Sequence, residues 1–189
     1  MLLSATMFRL EPITNNDVWQ ATLDAWKRDA SESSDEGVFL ESDVNSRLHW
    51  QREQAESAAN SHGYFIVENG QQIASSLLEV NHAMPNSNKP WLKLLSISLR
   101  PSLVLDVNEG ANEEALKKVF VVLVSSIVHA TELIFHQHPS RELKIYGRTP
   151  EMMSLFKGIV SAGALDAVLE SIGLSARVES KWLVLARRH

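Results

Sequence analysis

No cysteine occurs in the 189 residues, which excludes a disulfide framework, a cysteine nucleophile and a thiolate-bound zinc or iron–sulfur centre. Long apolar runs are also missing. The longest, Val119 to Val124, is followed by Ser125 and Ser126, far short of the ~20 residues that a membrane-spanning helix needs. Neither sign of charge dominates: 18 Lys and Arg against 23 Asp and Glu give a net charge of −5, which offers no overall attraction to nucleic acid or to an anionic membrane. The opening residues, Met1 to Thr6, lack the basic start and apolar stretch of a signal peptide. The expectation is a soluble, cytoplasmic protein in which residues 1–6 are a dispensable extension and Met7 offers an alternative start.

What is present suits a globular chain. Hydrophobic residues make up 44% and charged residues 22%, close to the average for folded domains. A domain of this size buries roughly 70% of its unfolded surface, so residues 1–189 are read as a single domain.

Phe8 to Ile13 alternates as one short strand, and Thr14 to Asp17 offer caps to a helix running to about Ala30, with Trp19, Leu23 and Trp26 inward. The polar acidic stretch Ser31 to Gly37 reads as a loop between helices. A second helix from about Glu41 to Asn60 is weakly apolar, with Val44, Leu48 and Trp50 as its inward candidates. The period then changes to two. Tyr64 to Val67 and Ile73 to Val80 flank Asn69-Gly70, a pairing that predicts a type I′ hairpin turn, and Trp91 to Leu99 follows as a third strand of the meander.

Leu116, Val119, Phe120, Leu123, Val124, Ile127 and Val128 recur at helical spacing, and Val121 and Val122 widen the stripe. This predicts the central, most buried helix. Leu143 to Tyr146 reads as a strand, and Pro150 suits the first turn of a helix that faces Leu155, Phe156, Ile159 and Val160 inward. Leu165, Val168, Leu169 and Ile172 continue helically to a stop at Gly173. Ala176 to Glu179 and Trp182 to Ala186 are the last strands.

The order β-α-α-β-β-β-α-β-α-β-β resembles the acyl-CoA N-acyltransferase fold, the GNAT superfamily, from Phe8 to Arg188. Phe8 to Thr14 is similar to that family's first strand, the Asn69-Gly70 hairpin to its strands two and three, and Ser96-Ile97-Ser98-Leu99-Arg100-Pro101 to the end of its fourth strand. The segments Glu142 to Tyr146, Ile172-Gly173-Leu174 and Trp182 to Arg187 resemble its C-terminal half. The resemblance implies an α+β fold with a central mixed, mostly antiparallel sheet flanked by helices. It also implies acyl-CoA as donor, held at its pyrophosphate by a Gln/Arg-x-x-Gly-x-Gly/Ala loop ahead of a helix N-terminus.

That loop is degenerate here. The nearest match is Val107-Asn108-Glu109-Gly110-Ala111-Asn112, of which only Gly110 fits, and Asp106, Glu109, Glu113 and Glu114 surround it without a basic residue. Such carboxylates complement the helix dipole themselves and repel a pyrophosphate. By the resemblance, Gly110 and the backbone N–H groups around Ile97 and Leu99 are the donor-binding candidates. The family's general base is a carboxylate near strands three to four, for which Glu79 and His82 are the candidates. Its tyrosine general acid is missing, since Tyr64 and Tyr146 both fall on predicted strands.

Other groupings have plainer readings. His129, His136 and His138 suggest a metal site only until their geometry is considered, and a solvated turn is the expectation, with no metal. Asp106 to Asn112 fails as a calcium loop, because its glycine is one position early and Lys117 stands where a bidentate Glu is required. Trp26 and Trp50 either pack in the core or line an acceptor pocket, and Arg100, Lys144 and Arg148 are either solvated or a substitute phosphate grip. Leu103-Val104-Leu105 extends the fourth strand, fills the groove beside it, or forms part of a homodimer interface.

Two functions follow. One is a divergent GNAT-like acyltransferase that moves an acyl group from acyl-CoA or another thioester to a small-molecule amine. The alternative is a non-catalytic module of the same fold that has lost CoA binding and takes a protein partner.

Overall fold

Alternating and helical periodicities resolve into thirteen elements in this computed structural model, which describes residues 7–32, 37–108, 113–147, 149–161, 163 and 166–188. In chain order these are β1 (Phe8–Pro12), α1 (Asn16–Glu32), α2 (Gly37–Ser57), β2 (Ser61–Glu68), β3 (Ala74–Ala83), β4 (Trp91–Leu99), α3 (Pro101–Asn108), α4 (Glu113–Leu133), β5 (Glu142–Tyr146), α5 (Pro150–Ser161), α6 (Asp166–Ser171), β6 (Leu174–Glu179) and β7 (Trp182–Arg187). The strands form one seven-stranded sheet in the order β1-β2-β3-β4-β5-β7-β6. β1 with β2, β5 with β7 and β6 with β7 are antiparallel. β4 with β5 is parallel, and a parallel pair needs the kind of helical crossover that α3 and α4 supply.

The chain divides into two compact units, one comprising residues 1–79 and 96–129 and the other residues 80–95 and 130–189. β3 and β4 each run through both. The first unit's core is built on α1. Val18, Trp19, Leu23, Ala25 and Trp26 pack with Leu48, Phe65, Val67, Ala74 and Leu77, and the Trp26 indole Nε1 donates to the Ala74 carbonyl at 2.9 Å. The second unit buries Leu92, Leu94, Leu143, Ile145 and Leu183 to Leu185 on its strands, with Leu133 and Ile134 at the end of α4.

Four expectations change. Trp50 is 48% exposed on α2, so α2 faces the core through Leu48 instead. α4 is not the most buried helix: Leu116 and Phe120 are 51% and 64% exposed, and its buried positions are largely small or polar, among them Ala115, Ser125, Ser126 and Ala130. Ser126 explains part of this, because its hydroxyl bonds both the Val122 carbonyl and Ser76 Oγ, each at 2.7 Å. Leu103-Val104-Leu105 belongs to α3 and does not extend β4. Pro101 opens that helix, where a missing N–H costs nothing.

The turn at Asn69-Gly70 also differs in type. Gln71 N donates to Glu68 O at 3.0 Å, and only Gly70, at φ +84°, has positive φ there. A type I′ turn needs positive φ at both central residues, so this turn follows the type II pattern. Gly173, at φ +72°, ends α6 as expected. The inward placements expected of Leu155, Ile159, Leu165 and Val168 lie outside the described residues.

Candidate functional site

The last residues of β4 present the features nearest to a binding edge. Its register with β5 runs from Trp91↔Glu142 to Leu94↔Ile145 and ends there, whereas β4 continues to Leu99. Beyond it, Arg100 N donates to Ser75 O on β3 at 3.0 Å. Successive N–H groups of an extended chain point to alternate sides, so those of Leu99 and Ile97 are directed away from β3. Both residues are half-buried.

Around this stretch the first unit satisfies its own polar groups. Glu79, half-buried on β3, accepts a hydrogen bond from Ser96 Oγ at 2.9 Å, and Arg47 donates to Ser98 Oγ at 3.2 Å. Arg100 grips Asp29 with two hydrogen bonds of 2.6 and 3.0 Å. Burial pushes the Asp29 carboxyl up, but hydrogen bonds from Arg100 and Ser102 and the Arg100 charge outweigh it and hold it below the usual carboxylate range. The same pairing raises Arg100. Arg100 is therefore committed to Asp29 and not available as a phosphate ligand. Its partner, 71 residues away, gave no signal in the sequence, because nothing local links α1 to the end of β4.

Gly110 lies outside the described residues, as does Arg148. Where α4 begins, Glu113 and Glu114 are exposed in its first turn, and Lys118 pairs with Glu114 at 3.4 Å. A cavity of about 560 Å³ in this unit is lined by Phe8, Leu103 and Val122, with Glu68 and Glu114 set against Lys117 and Lys118. Leu103 thus walls a hollow, and the hollow's charges balance.

In the second unit, His82 stands near the end of β3 with its ring 5.3 Å from that of His138. Burial lowers its pKa, against a hydrogen bond to the Pro139 carbonyl that raises it. Its Nε2 is shut from solvent with no partner among the described residues, so the ring that bonds Pro139 does so through Nδ1. Glu79 falls in the first unit and His82 in the second, and each is described in its own surroundings. His138 is buried and His136 exposed, which corrects the expectation of a wholly solvated turn. Among the described residues no group of three or more His, Asp or Glu could hold a metal. Tyr146 packs on Trp182 at 4.9 Å, and burial pushes the Tyr64 hydroxyl up to about 12. Trp26 is a core residue by the hydrogen bond given above, not a pocket wall. Lys144 pairs with Glu142 at 3.3 Å and so is not a free cation either.

No protein-family model matches this chain, and no curated protein matches it. Solved structures do. FdhC, described as a nucleotide-linked sugar GNAT, is 12% identical, with a TM-score of 0.47 over 95% of this chain and 85% of its own. An acetyltransferase from Agrobacterium tumefaciens is 15% identical, with a TM-score of 0.44 over 99% and 94%. The PaiA N-acetyltransferase from Thermoplasma acidophilum, solved with coenzyme A, is 12% identical, with a TM-score of 0.39 over 96% and 99%. Each is a distant likeness of fold. The α+β architecture stands on this chain's own geometry: a mixed seven-stranded sheet in the order β1-β2-β3-β4-β5-β7-β6, with β4 parallel to β5, as the family resemblance of the sequence implies.

Proposed function

We infer that the protein is a divergent GNAT-like acyltransferase that docks a thioester donor along β4 and passes its acyl group to a small amine. The observation that carries this reading is the run of β4 from Leu95 to Leu99 beyond its register with β5, with the Leu99 and Ile97 N–H groups directed away from β3. Amide groups of an extended donor arm can pair with such an edge as an added strand does, and N–H donors near a thioester carbonyl favour the charge that develops on its oxygen.

In the transfer, the amine nitrogen bonds to the carbonyl carbon, the C–S bond breaks, the thiolate leaves, and the amine proton passes to a base. Glu79 is the better candidate, since it is half-buried and held by Ser96, while the Nε2 of His82 is closed off. The described residues suit the amide portion of an acyl-CoA better than its phosphates. Arg100 is committed to Asp29, and Glu113 and Glu114 occupy the start of α4.

Those same two facts favour a second reading, a non-catalytic module of the fold. Calorimetric titration with acetyl-CoA and CoA at low and moderate salt separates them. Saturable binding of acetyl-CoA supports the transferase, and its salt dependence reports how far the phosphates are held. No binding at millimolar ligand supports the module.

A further inference from the structure

The second unit contains a cavity of about 340 Å³, walled by Lys89, Trp91, Arg141, Glu142, Lys144 and Arg187. Four cations meet one carboxylate there, in a chain whose net charge is −5. That carboxylate is already shared. Glu142 accepts from Arg177 at 2.6 Å and from Lys144 at 3.3 Å, and although burial pushes it up, these partners hold it below the usual carboxylate range. Lys89 and Arg141 are exposed and have no ion pair among the described residues. Two further N–H donors, Trp91 Nε1 and Arg187 Nε, are buried without an acceptor, so the wall carries more positive charge than its one carboxylate offsets.

The frame holding these groups is regular backbone. Trp91 stands opposite Glu142 in the β4–β5 register, and Glu142 opposite Ala186 in the β5–β7 register. Arg141 N donates to Pro90 O and Arg187 N to Arg141 O, each at 3.0 Å. Lys144 sits 5.0 Å from the centre of the Trp91 ring, and the Arg187 guanidinium lies 4.4 Å from that of Phe135. The cations are thus placed by strand ends and ring faces. A concave, positively charged wall of this kind concentrates anions. A singly charged ligand would leave most of the positive charge unmatched, whereas a phosphoryl group brings about two negative charges and acceptors for both Arg and Lys. The volume lies at the small end of ligand cavities.

We propose that this cavity binds a small phosphorylated anion. The site begins at Trp91, the first residue of β4, and does not depend on the donor reading at Leu95 to Leu99. The experiment is calorimetric titration of the full chain with inorganic pyrophosphate, and in a second arm with AMP, at low and moderate salt. Saturable binding that weakens with salt is expected, and tighter binding of AMP than of pyrophosphate identifies a nucleotide rather than a free inorganic anion. The Lys89→Glu/Arg141→Glu protein should bind roughly tenfold more weakly or worse with unchanged Tm. Should that protein fail to fold, Lys89→Gln/Arg141→Gln replaces it. The proposal is overturned by no heat from either probe at millimolar concentration, or by equal affinity in the folded variant. Absence of acetyl-CoA binding with pyrophosphate binding intact would sink the transferase reading alone.

Discussion

The two cavities are built from similar residue types, yet one closes its electrostatic accounts and the other does not. In the first unit, Lys117 and Lys118 face Glu68 and Glu114 around the larger hollow, Arg100 is matched to Asp29, and the buried Trp26 indole donates to Ala74 O. In the second, Lys89 and Arg141 have no carboxylate among the described residues, and the indole of Trp91 has no acceptor. A cation in a sequence is therefore not an available cation. Its partner decides, and a partner distant in sequence leaves no trace in local pattern.

The comparison can be broken most forcefully at the matched tryptophan. Trp26→Ala should cost about 3–5 kcal/mol, measured by urea denaturation, because it empties a fully packed site and strands the Ala74 carbonyl. Next is Asp29→Asn, expected to cost about 2 kcal/mol, a figure kept low because Arg100 retains some solvent. Its pH signature has a fixed sign. Asp29 has a lowered folded pKa, so its contribution is present above the ordinary carboxylate pKa and is lost as pH falls through the folded value. Scans of Tm from pH 6 down to about pH 3 should show wild type losing more stability than Asp29→Asn. A smaller effect, within about 1 kcal/mol, is expected of Trp91→Phe, since removing a donor that has no acceptor also removes its burial penalty. A loss there as large as that at Trp26 would erase the contrast between the units. Smallest is Arg141→Ala, within about 0.5 kcal/mol of wild type in stability, its effect confined to pyrophosphate binding.

Much of the fold was legible in the sequence because strands announce themselves by alternation. Tyr64 to Val67, Trp91 to Leu99 and Leu143 to Tyr146 all lie within observed strands, and Gly173 ends α6. Burial was harder to read. The apolar run from Leu116 to Val128 predicts a central helix, yet its largest side chains face outward, since periodicity reports a hydrophobic stripe without saying what covers it. At Asn69-Gly70 the dipeptide located the turn but not its type, which the five residues between β2 and β3 set by allowing a longer connection.

Sites were less legible still. Glu79, Ile97 and Leu99 are candidates by their positions along strands, and their surroundings depend on Ser96, Ser75 and Asp29, none of which the spacing indicates. The cations of the smaller cavity come from the loop before β4, the bend before β5, the middle of β5 and the end of β7, with nothing regular between them.

The most direct test of the central claim is acetyl-CoA titration of wild type beside Leu99→Pro. Proline removes the N–H directed away from β3 and leaves the Arg100–Ser75 hydrogen bond a backbone donor of its own. The account predicts saturable binding by wild type and roughly tenfold weaker binding by a folded Leu99→Pro protein. Equal affinity in the two, or no binding by wild type at millimolar acetyl-CoA, would contradict it.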